Sequence, residues 1–206
     1  EHDQFLDVVV KESERLTRLI NDILDMSKIE AGKMEWHVSR FDLDEVVEDA
    51  MAAVSGLCRE RRIVIETRRA SGPLPPVAAD RDRLQQVVIN LLSNAAKFVP
   101  EDRGRVLVET ACEDGMVVLC VTDNGPGIPP GHLAAVFDKF HQIGGTLTDK
   151  PKGTGLGLTI CRHIIEHFGG RIWAEKNDCG AVFRFRLPAA GEPLAARRGV
   201  AQGCRR

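Results

Sequence analysis

The chain has 206 residues, a formal net charge of −2, 43% hydrophobic residues and 28% charged residues. These values are typical of a soluble globular protein with one ordinary domain and an appendage. The near-neutral charge and the lack of any run of eighteen apolar residues predict no contact with nucleic acid and no direct contact with a membrane.

Residues 3–31 have the pattern of one long helix. Val9, Leu16 and Ile23 lie seven residues apart, as do Leu19 and Met26, which is the spacing of coiled coils and helical bundles. Because a helix of this length cannot bury its stripe against itself, we expect a dimerisation helix rather than one packed only on its own domain. The other face is polar and consists of Lys11, Glu14, Arg15, Arg18, Asp22, Asp25 and Lys28.

The following residues predict an α/β layer structure, with helices on one face of a mostly antiparallel sheet. Helices are expected at 42–61, 80–98, 132–137 and 156–168, with Asp42 and Asp80 as N-caps. Strands are expected at 34–41, 63–67, 105–112, 116–122, 171–175 and 181–187. The last sixteen residues have no apolar period and predict a flexible basic tail.

Six cysteines are spread along the chain without a C-x-x-C pair or a histidine cluster. Four of them lie in apolar runs, so we interpret the cysteines as small buried hydrophobic residues in a reducing compartment. Metal ligands and disulfides are the less favoured interpretation.

The helix expected at 80–98 is apolar nearly all round and should be buried, yet it carries three aligned polar residues. Asn90, Asn94 and Lys97 lie at positions i, i+4 and i+7, within roughly 60° of one another around the helix. Burying such groups without partners costs on the order of 1–3 kcal/mol each. They fit an oxygen-rich charged ligand, because amide oxygens suit Mg²⁺ and Lys97 suits phosphate. A solvated stripe or a network of cap bonds is the alternative.

Two glycine-rich runs follow, DNGPGI at residues 123–128 and GTGLGL at residues 153–158. The first lacks the alternating acidic ligands of a calcium loop. The second lacks the preceding strand of a dinucleotide fingerprint, and no G-x-x-x-x-G-K-[ST] sequence occurs. A glycine-rich loop opening onto a helix remains, and free N–H groups at a helix start attract phosphate oxygens.

These motifs together resemble the four boxes of sensor histidine kinases. NLLSNAAKF at residues 90–98 resembles the N box, DNGPGI the G1 box, FDKF at residues 137–140 the F box, and GTGLGL the G2 box. The opening helix looks like the second helix of the dimerisation and phosphotransfer domain, and the likeness covers residues 3–188. It implies the Bergerat ATP-binding fold of the gyrase, chaperone and histidine kinase superfamily, an α+β two-layer sandwich.

The resemblance implies a role for each matching residue in a site for ATP and Mg²⁺. Asp123 would accept a hydrogen bond from the adenine amino group, Asn94 would bind Mg²⁺, and Asn90 stands where gyrase and the chaperones carry a glutamate general base. The nucleotide-binding positions are Asp123, Gly125, Gly127, Ile128, Lys139, His141, Gly153, Thr154, Gly155, Leu156 and Gly157. Asn90, Asn94 and Lys97 are the catalytic positions.

Two departures from the family pattern stand out. His2 is followed by DQFLD without the Thr/Asn-Pro pair that follows the family's acceptor histidine, so the acceptor is expected on a helix that this chain does not contain. Gln142 stands where many relatives carry a lid arginine, and Lys139, Lys150 and Lys152 are the candidate substitutes. His141 aligns with an aromatic residue that stacks on adenine.

We therefore expect three regions: a bundle helix at 1–33, an ATP-binding catalytic domain at 34–190 and a tail at 191–206. The expected function is transfer of the γ-phosphoryl group of ATP to histidine, in the cytoplasm, alone or as the cytoplasmic part of a membrane-anchored sensor. The expected partners are ATP, an acceptor helix, a response regulator and a second copy through residues 3–31. A kinase-inactive nucleotide-binding scaffold and a serine kinase of the anti-sigma type are the alternatives.

Overall fold

The computed structural model describes residues 2–70, 72–143, 154–177 and 179–191, with secondary structure close to the sequence prediction. Gly153, Lys150, Lys152, Cys204 and the tail from residue 192 onward lie outside the described residues. The helices are α1 His2–Glu30, α2 Leu43–Glu60, α3 Arg81–Phe98 and α4 Gly157–His167. The strands are β1 Val38–Phe41, β2 Val64–Arg68, β3 Val77–Asp80, β4 Arg105–Glu113, β5 Met116–Asp123, β6 Arg171–Asn177 and β7 Gly180–Pro188.

The strands form two sheets, and the larger one carries the domain. Its order is β2-β4-β5-β7-β6, with one parallel pair, β2 with β4, and three antiparallel pairs. β1 and β3 form a separate antiparallel pair. The buried side chains of the large sheet share one hydrophobic core with α2, α3 and α4, which confirms the predicted two-layer α+β sandwich with a mostly antiparallel sheet.

Aspartates begin the two central helices as their sequences predict. The Asp42 carboxylate accepts the backbone N–H of Asp44, and the Asp80 carboxylate accepts that of Arg83. Each bond satisfies a first-turn N–H that has no partner within the helix. α3 then buries seven residues: Leu84, Val87, Val88, Leu91, Leu92, Ala95 and Ala96.

α1 has two different long faces. Leu16, Ile20, Ile23 and Leu24 are about half exposed, so this part of the predicted apolar stripe has no partner within the described chain. Met26 is buried and Ile29 packs against the catalytic core.

The polar face of α1 meets the catalytic domain. Asp25, which the pattern assigns to the face opposite the stripe, is buried and accepts hydrogen bonds from Arg83 at 2.8 Å and Gln86 at 3.1 Å. Two polar partners on α3 therefore satisfy a carboxylate that could not be buried alone.

Some local expectations need correction. The sequence prediction contains no strand at 77–80, but Val77–Asp80 forms β3 and pairs with β1. The single short helix expected at 132–137 is two 3₁₀ helices, Pro130–His132 and Ala135–Phe137. Among the described cysteines, the buried interpretation is confirmed for Cys58, Cys120 and Cys161 and is wrong for Cys112 and Cys179, which are exposed; all five are free thiols.

Candidate functional site

Asp123 is a buried carboxylate at the end of the central strand β5. Its Oδ1 accepts the backbone N–H of Gly125 at 2.8 Å and that of Ala181 at 3.1 Å. Burial raises the pKa of this carboxyl above its ordinary value, and the two backbone N–H bonds oppose that shift. Among the described residues both hydrogen bonds of this carboxylate go to Oδ1, so Oδ2 can accept one from a ligand.

Gly180 and Ala181 were missed by the sequence analysis, although they hold Asp123 in place. A Cβ on Gly180 would lie 1.8 Å from the carbonyl oxygen of Asp123, and Gly180 has a φ of +149°. Only glycine fits such a close approach of β7 to the end of β5. A signal was present, since Gly180 opens a strand and a glycine there marks close backbone contact.

The glycines of the first run, residues 123–128, make room for protein atoms. A Cβ on Gly125 would lie 2.9 Å from both the Asp123 Oδ1 and the carbonyl oxygen of Phe98. Gly127 has a φ of +75°, and its Cβ would lie 3.0 Å from the carbonyl oxygen of Gly180. The first run is thus packed between the end of α3 and the start of β7. This packing fixes the carboxylate of Asp123. Ile128 is partly buried and packs against the core.

Asn90, Asn94 and Lys97 are all partly buried along α3. The Asn90 amide lies beside α4: its Nδ2 donates to Sγ of Cys161 at 3.7 Å, and a Cβ on Gly157 would lie 3.5 Å from it. The first of the three polar residues therefore adjoins the second glycine run, as a shared site requires.

Thr154 bonds to Asp22 of α1, and Lys97 lies near enough to Asp22 for their charges to interact. Thr154 donates its hydroxyl hydrogen to Asp22 Oδ2 at 2.9 Å. Burial raises the pKa of the Asp22 carboxyl, while the Thr154 hydrogen bond and, more weakly, the Lys97 charge lower it. Burial lowers the pKa of the Lys97 ammonium, Arg18 adds to that effect, and Asp22 opposes it. A cation, a hydroxyl and a carboxylate thus cluster at this end of the site.

The second glycine run, residues 153–158, leads into the start of α4. Gly155 has a φ of +72°, and its Cβ would lie 2.8 Å from Cα of Phe140, so the run lies against the end of the FDKF segment. α4 begins at Gly157 after the buried Leu156, with no side-chain cap and no acidic residue in its first turn. Uncapped N–H groups at a helix start favour an anion there.

The remaining candidates lie around the FDKF segment. Lys139 forms an ion pair with Glu30 of α1. His141 shares a hydrogen bond with His132, with 3.0 Å between Nε2 and Nδ1, so its ring is held on one edge. Gln142 is exposed. Of the lysines considered as substitutes for a lid arginine, Lys139 is the one that falls within the described residues.

The described residues contain neither a metal-binding cluster nor a membrane-spanning helix. No group of three or more histidine, cysteine, aspartate or glutamate side chains there could hold a metal ion. No helix in those ranges is long and apolar enough to cross a membrane.

Two protein-family models match parts of this chain. Residues 79–191 match the family model described as histidine kinase-, DNA gyrase B-, and HSP90-like ATPase. Residues 1–32 match the model of the His Kinase A (phospho-acceptor) domain.

One curated relative is the histidine protein kinase DivJ of Caulobacter vibrioides, 37% identical over 94% of this chain and 32% of its own length. The chain spans a third or less of the length of the first curated relatives it matches.

Solved structures of histidine kinases share the fold. Full-length ShkA in complex with AMPPNP is 29% identical, with a TM-score of 0.77 over 93% of this chain and 40% of that one. The catalytic domain of histidine kinase ThkA is 31% identical, with a TM-score of 0.65 over 77% of this chain and all of that one. ThkA in complex with the response regulator protein TrrA is 28% identical, with a TM-score of 0.72 over 91% of this chain and 51% of that one.

Proposed function

The chain belongs to the histidine kinase-, DNA gyrase B- and HSP90-like ATPase family and contains the ATP-binding catalytic region of a sensor histidine kinase; on that premise we propose that it transfers the γ-phosphoryl group of ATP, bound as a magnesium complex, to a histidine. The receiving histidine is proposed to lie on a helix other than those among these 206 residues. Residues 1–33 act as a bundle helix and residues 34–190 as the catalytic domain.

The fixed, buried carboxylate of Asp123 is the observation that carries this proposal, in which it recognises adenine. Its Oδ1 is fixed by two backbone N–H groups, so Oδ2 has a defined direction before any ligand arrives. A fixed acceptor selects adenine, which offers an amino group, over guanine, which offers a carbonyl oxygen at the same position. His141, held by His132, is proposed to stack on the base.

The phosphates are proposed to lie between α3 and the start of α4. The uncapped first turn of α4 and the Lys97 ammonium supply N–H groups and positive charge. The residues present fit Mg²⁺, because this ion keeps several waters and is bound by few protein oxygens together with substrate phosphates. Asn94 would hold it through its amide oxygen, and the ion would neutralise charge on the transferred group.

Asn90 favours transfer to a protein side chain over hydrolysis. An amide cannot take a proton from water, and Asn90 adjoins the start of α4. Catalysis is then mostly positioning and charge neutralisation, as is general for phosphoryl transfer.

The proposed partners follow from α1 and from the relatives. The half-exposed Leu16, Ile20, Ile23 and Leu24 recur at helical spacing and form a stripe that a second copy of α1 would cover in a bundle. A response regulator is proposed to receive the phosphoryl group afterwards, by analogy with ThkA and TrrA. The site of action is proposed to be the cytoplasm.

Phosphoryl transfer in trans tests the proposal. The 206-residue chain would be mixed with γ-labelled ATP, Mg²⁺ and a separate phosphotransfer domain that carries an acceptor histidine. We expect acid-labile, base-stable label on that domain, and none when its histidine is replaced or when Asp123→Ala is used. A His2→Gln variant should transfer as well as the parent chain. Nucleotide binding without phosphohistidine under any condition would instead favour a kinase-inactive scaffold.

A further inference from the structure

Three carboxylates of α1 contact the catalytic domain. Asp22 accepts the Thr154 hydroxyl hydrogen at 2.9 Å, and Glu30 forms an ion pair with Lys139. The third, Asp25, bonds to Arg83 and Gln86 on α3. α1 is therefore docked through its acidic side chains as well as through Met26 and Ile29.

Two of the three contacts use residues that the family resemblance assigns to the nucleotide. Thr154 belongs to the second glycine run, and Lys139 belongs to the FDKF segment. Lys97 is a third such group, because its positive charge acts on Asp22. Carboxylate and phosphate oxygens are both anionic acceptors for hydroxyl and ammonium donors, so either can occupy these positions.

We infer that α1, docked as in this structure, competes with the triphosphate of ATP for Thr154, Lys139 and Lys97. Asp22 and Glu30 stand where phosphate oxygens would bind, and ATP binds fully only when these two carboxylates withdraw. The inference rests on the proposed function, which places the phosphates beside Lys97 and the start of α4, and it adds Thr154 and Lys139 as phosphate ligands. Any signal that moves α1 would then change the affinity for ATP, and ATP would in turn shift the position of α1.

The charges at this contact favour reversible docking of α1 on the catalytic domain. Burial disfavours the charged forms of both Asp22 and Lys97, so the attraction between these two charges is offset by their desolvation. A triphosphate placed beside docked Asp22 and Asp25 would also meet two like charges, and such repulsion is stronger in a partly buried site than in water. Release of α1 removes both the burial of these charges and the repulsion between the carboxylates and the triphosphate.

Asp25 provides a contact between α1 and the catalytic domain that does not involve the proposed phosphate ligands. Its partners Arg83 and Gln86 belong to neither glycine run, and Met26 is buried beside it. Replacing Asp22 and Glu30 therefore leaves α1 attached to the catalytic domain. A change in ATP affinity would then report on the two carboxylates and not on loss of the helix.

The experiment compares ATP·Mg and adenosine binding by calorimetry for the 206-residue chain and four variants. These are Asp22→Asn, Glu30→Gln, the double variant and, as a control, Glu12→Gln, which makes the same charge change at an exposed site on the same helix. We expect the double variant to bind ATP about 5- to 50-fold more tightly, within the range of intramolecular couplings. Adenosine has no phosphate, so its affinity should stay within about twofold, and Glu12→Gln should match the parent chain.

The outcomes separate this inference from the proposed function. Binding of ATP by the parent chain tests the function, whereas the ratio between variant and parent tests the competition. If the parent chain binds ATP and the double variant binds it no more tightly, the competition is wrong and the function stands. An equal gain for adenosine would also overturn the competition, because it would show a general opening of the site. If no variant binds ATP, both proposals fail.

Discussion

Replacing Asp123 by asparagine separates its role in choosing the base from its role in the fold. One oxygen of the Asn side chain can still accept the N–H groups of Gly125 and Ala181, which lie 2.8 and 3.1 Å from Oδ1. The amide nitrogen then takes the place of Oδ2 and faces the adenine amino group, donor against donor. Losing a hydrogen bond to a charged group costs about 1.5–3 kcal/mol. At 1.4 kcal/mol for each factor of ten, ATP affinity should fall about 10- to 150-fold.

The same substitution should improve GTP binding and should not weaken the fold. The new amide nitrogen can donate to the guanine carbonyl oxygen, which the parent carboxylate repels. Burial raises the pKa of Asp123 in the folded state, so its contribution to stability is greatest at low pH and falls as pH rises through the raised pKa. At neutral pH the buried charge costs stability, and Asp123→Asn removes that cost.

Calorimetry with ATP and GTP and a thermal melt at neutral pH measure these effects. The control is Asp114→Asn, the same charge change at an exposed hairpin position whose positive φ asparagine tolerates. Parent-like ATP affinity in Asp123→Asn would refute adenine recognition by this side chain. A large drop in melting temperature would refute the account of its buried charge.

Three further substitutions test other parts of the site. Gly180→Ala should cost about 1–3 kcal/mol or more of strain and lower both the melting temperature and ATP affinity. The control is Gly56→Ala in α2, where the space around the glycine is open; it should stabilise the fold by about 0.5–1 kcal/mol. Equal melting temperatures for the two variants would refute the close contact of β7 with β5. The Asn94→Ala variant should bind ATP with the same affinity in the presence of Mg²⁺ and in the presence of a chelator. If Mg²⁺ still raises its affinity for ATP, Asn94 is not the Mg²⁺ ligand. Burial lowers the pKa of Lys97 below its ordinary value of 10.5, so ATP affinity should fall as the pH rises through that lowered pKa. Lys97→Met should remove this fall in affinity. If the variant still shows the fall, another group causes it.

The helices were predictable because their signals are local. Asp42 and Asp80 cap α2 and α3 through atoms two and three residues away, so the sequence pattern contains the whole interaction. β3 was not predictable in this way. Its four residues are too few to show a strand period, and they are held by pairing with β1 some forty positions earlier.

The site shows the same division between local and distant contacts. Asp123 and the glycine runs were found from motifs of a few residues. The Ala181 N–H that fixes Asp123 comes from 58 residues away, and the Asp22 carboxylate that meets Thr154 from 132 residues away. A polar face on α1 predicts where Asp22 points on the helix, but not which part of the chain lies opposite.

A crystal structure of the 206-residue chain with a non-hydrolysable ATP analogue and Mg²⁺ is the most direct test of the proposed site. We expect the adenine amino group at about 2.9 Å from Asp123 Oδ2 and Mg²⁺ at about 2.1 Å from the Asn94 amide oxygen. A nucleotide bound away from Asp123, or a metal ion held without Asn94, would contradict this expectation.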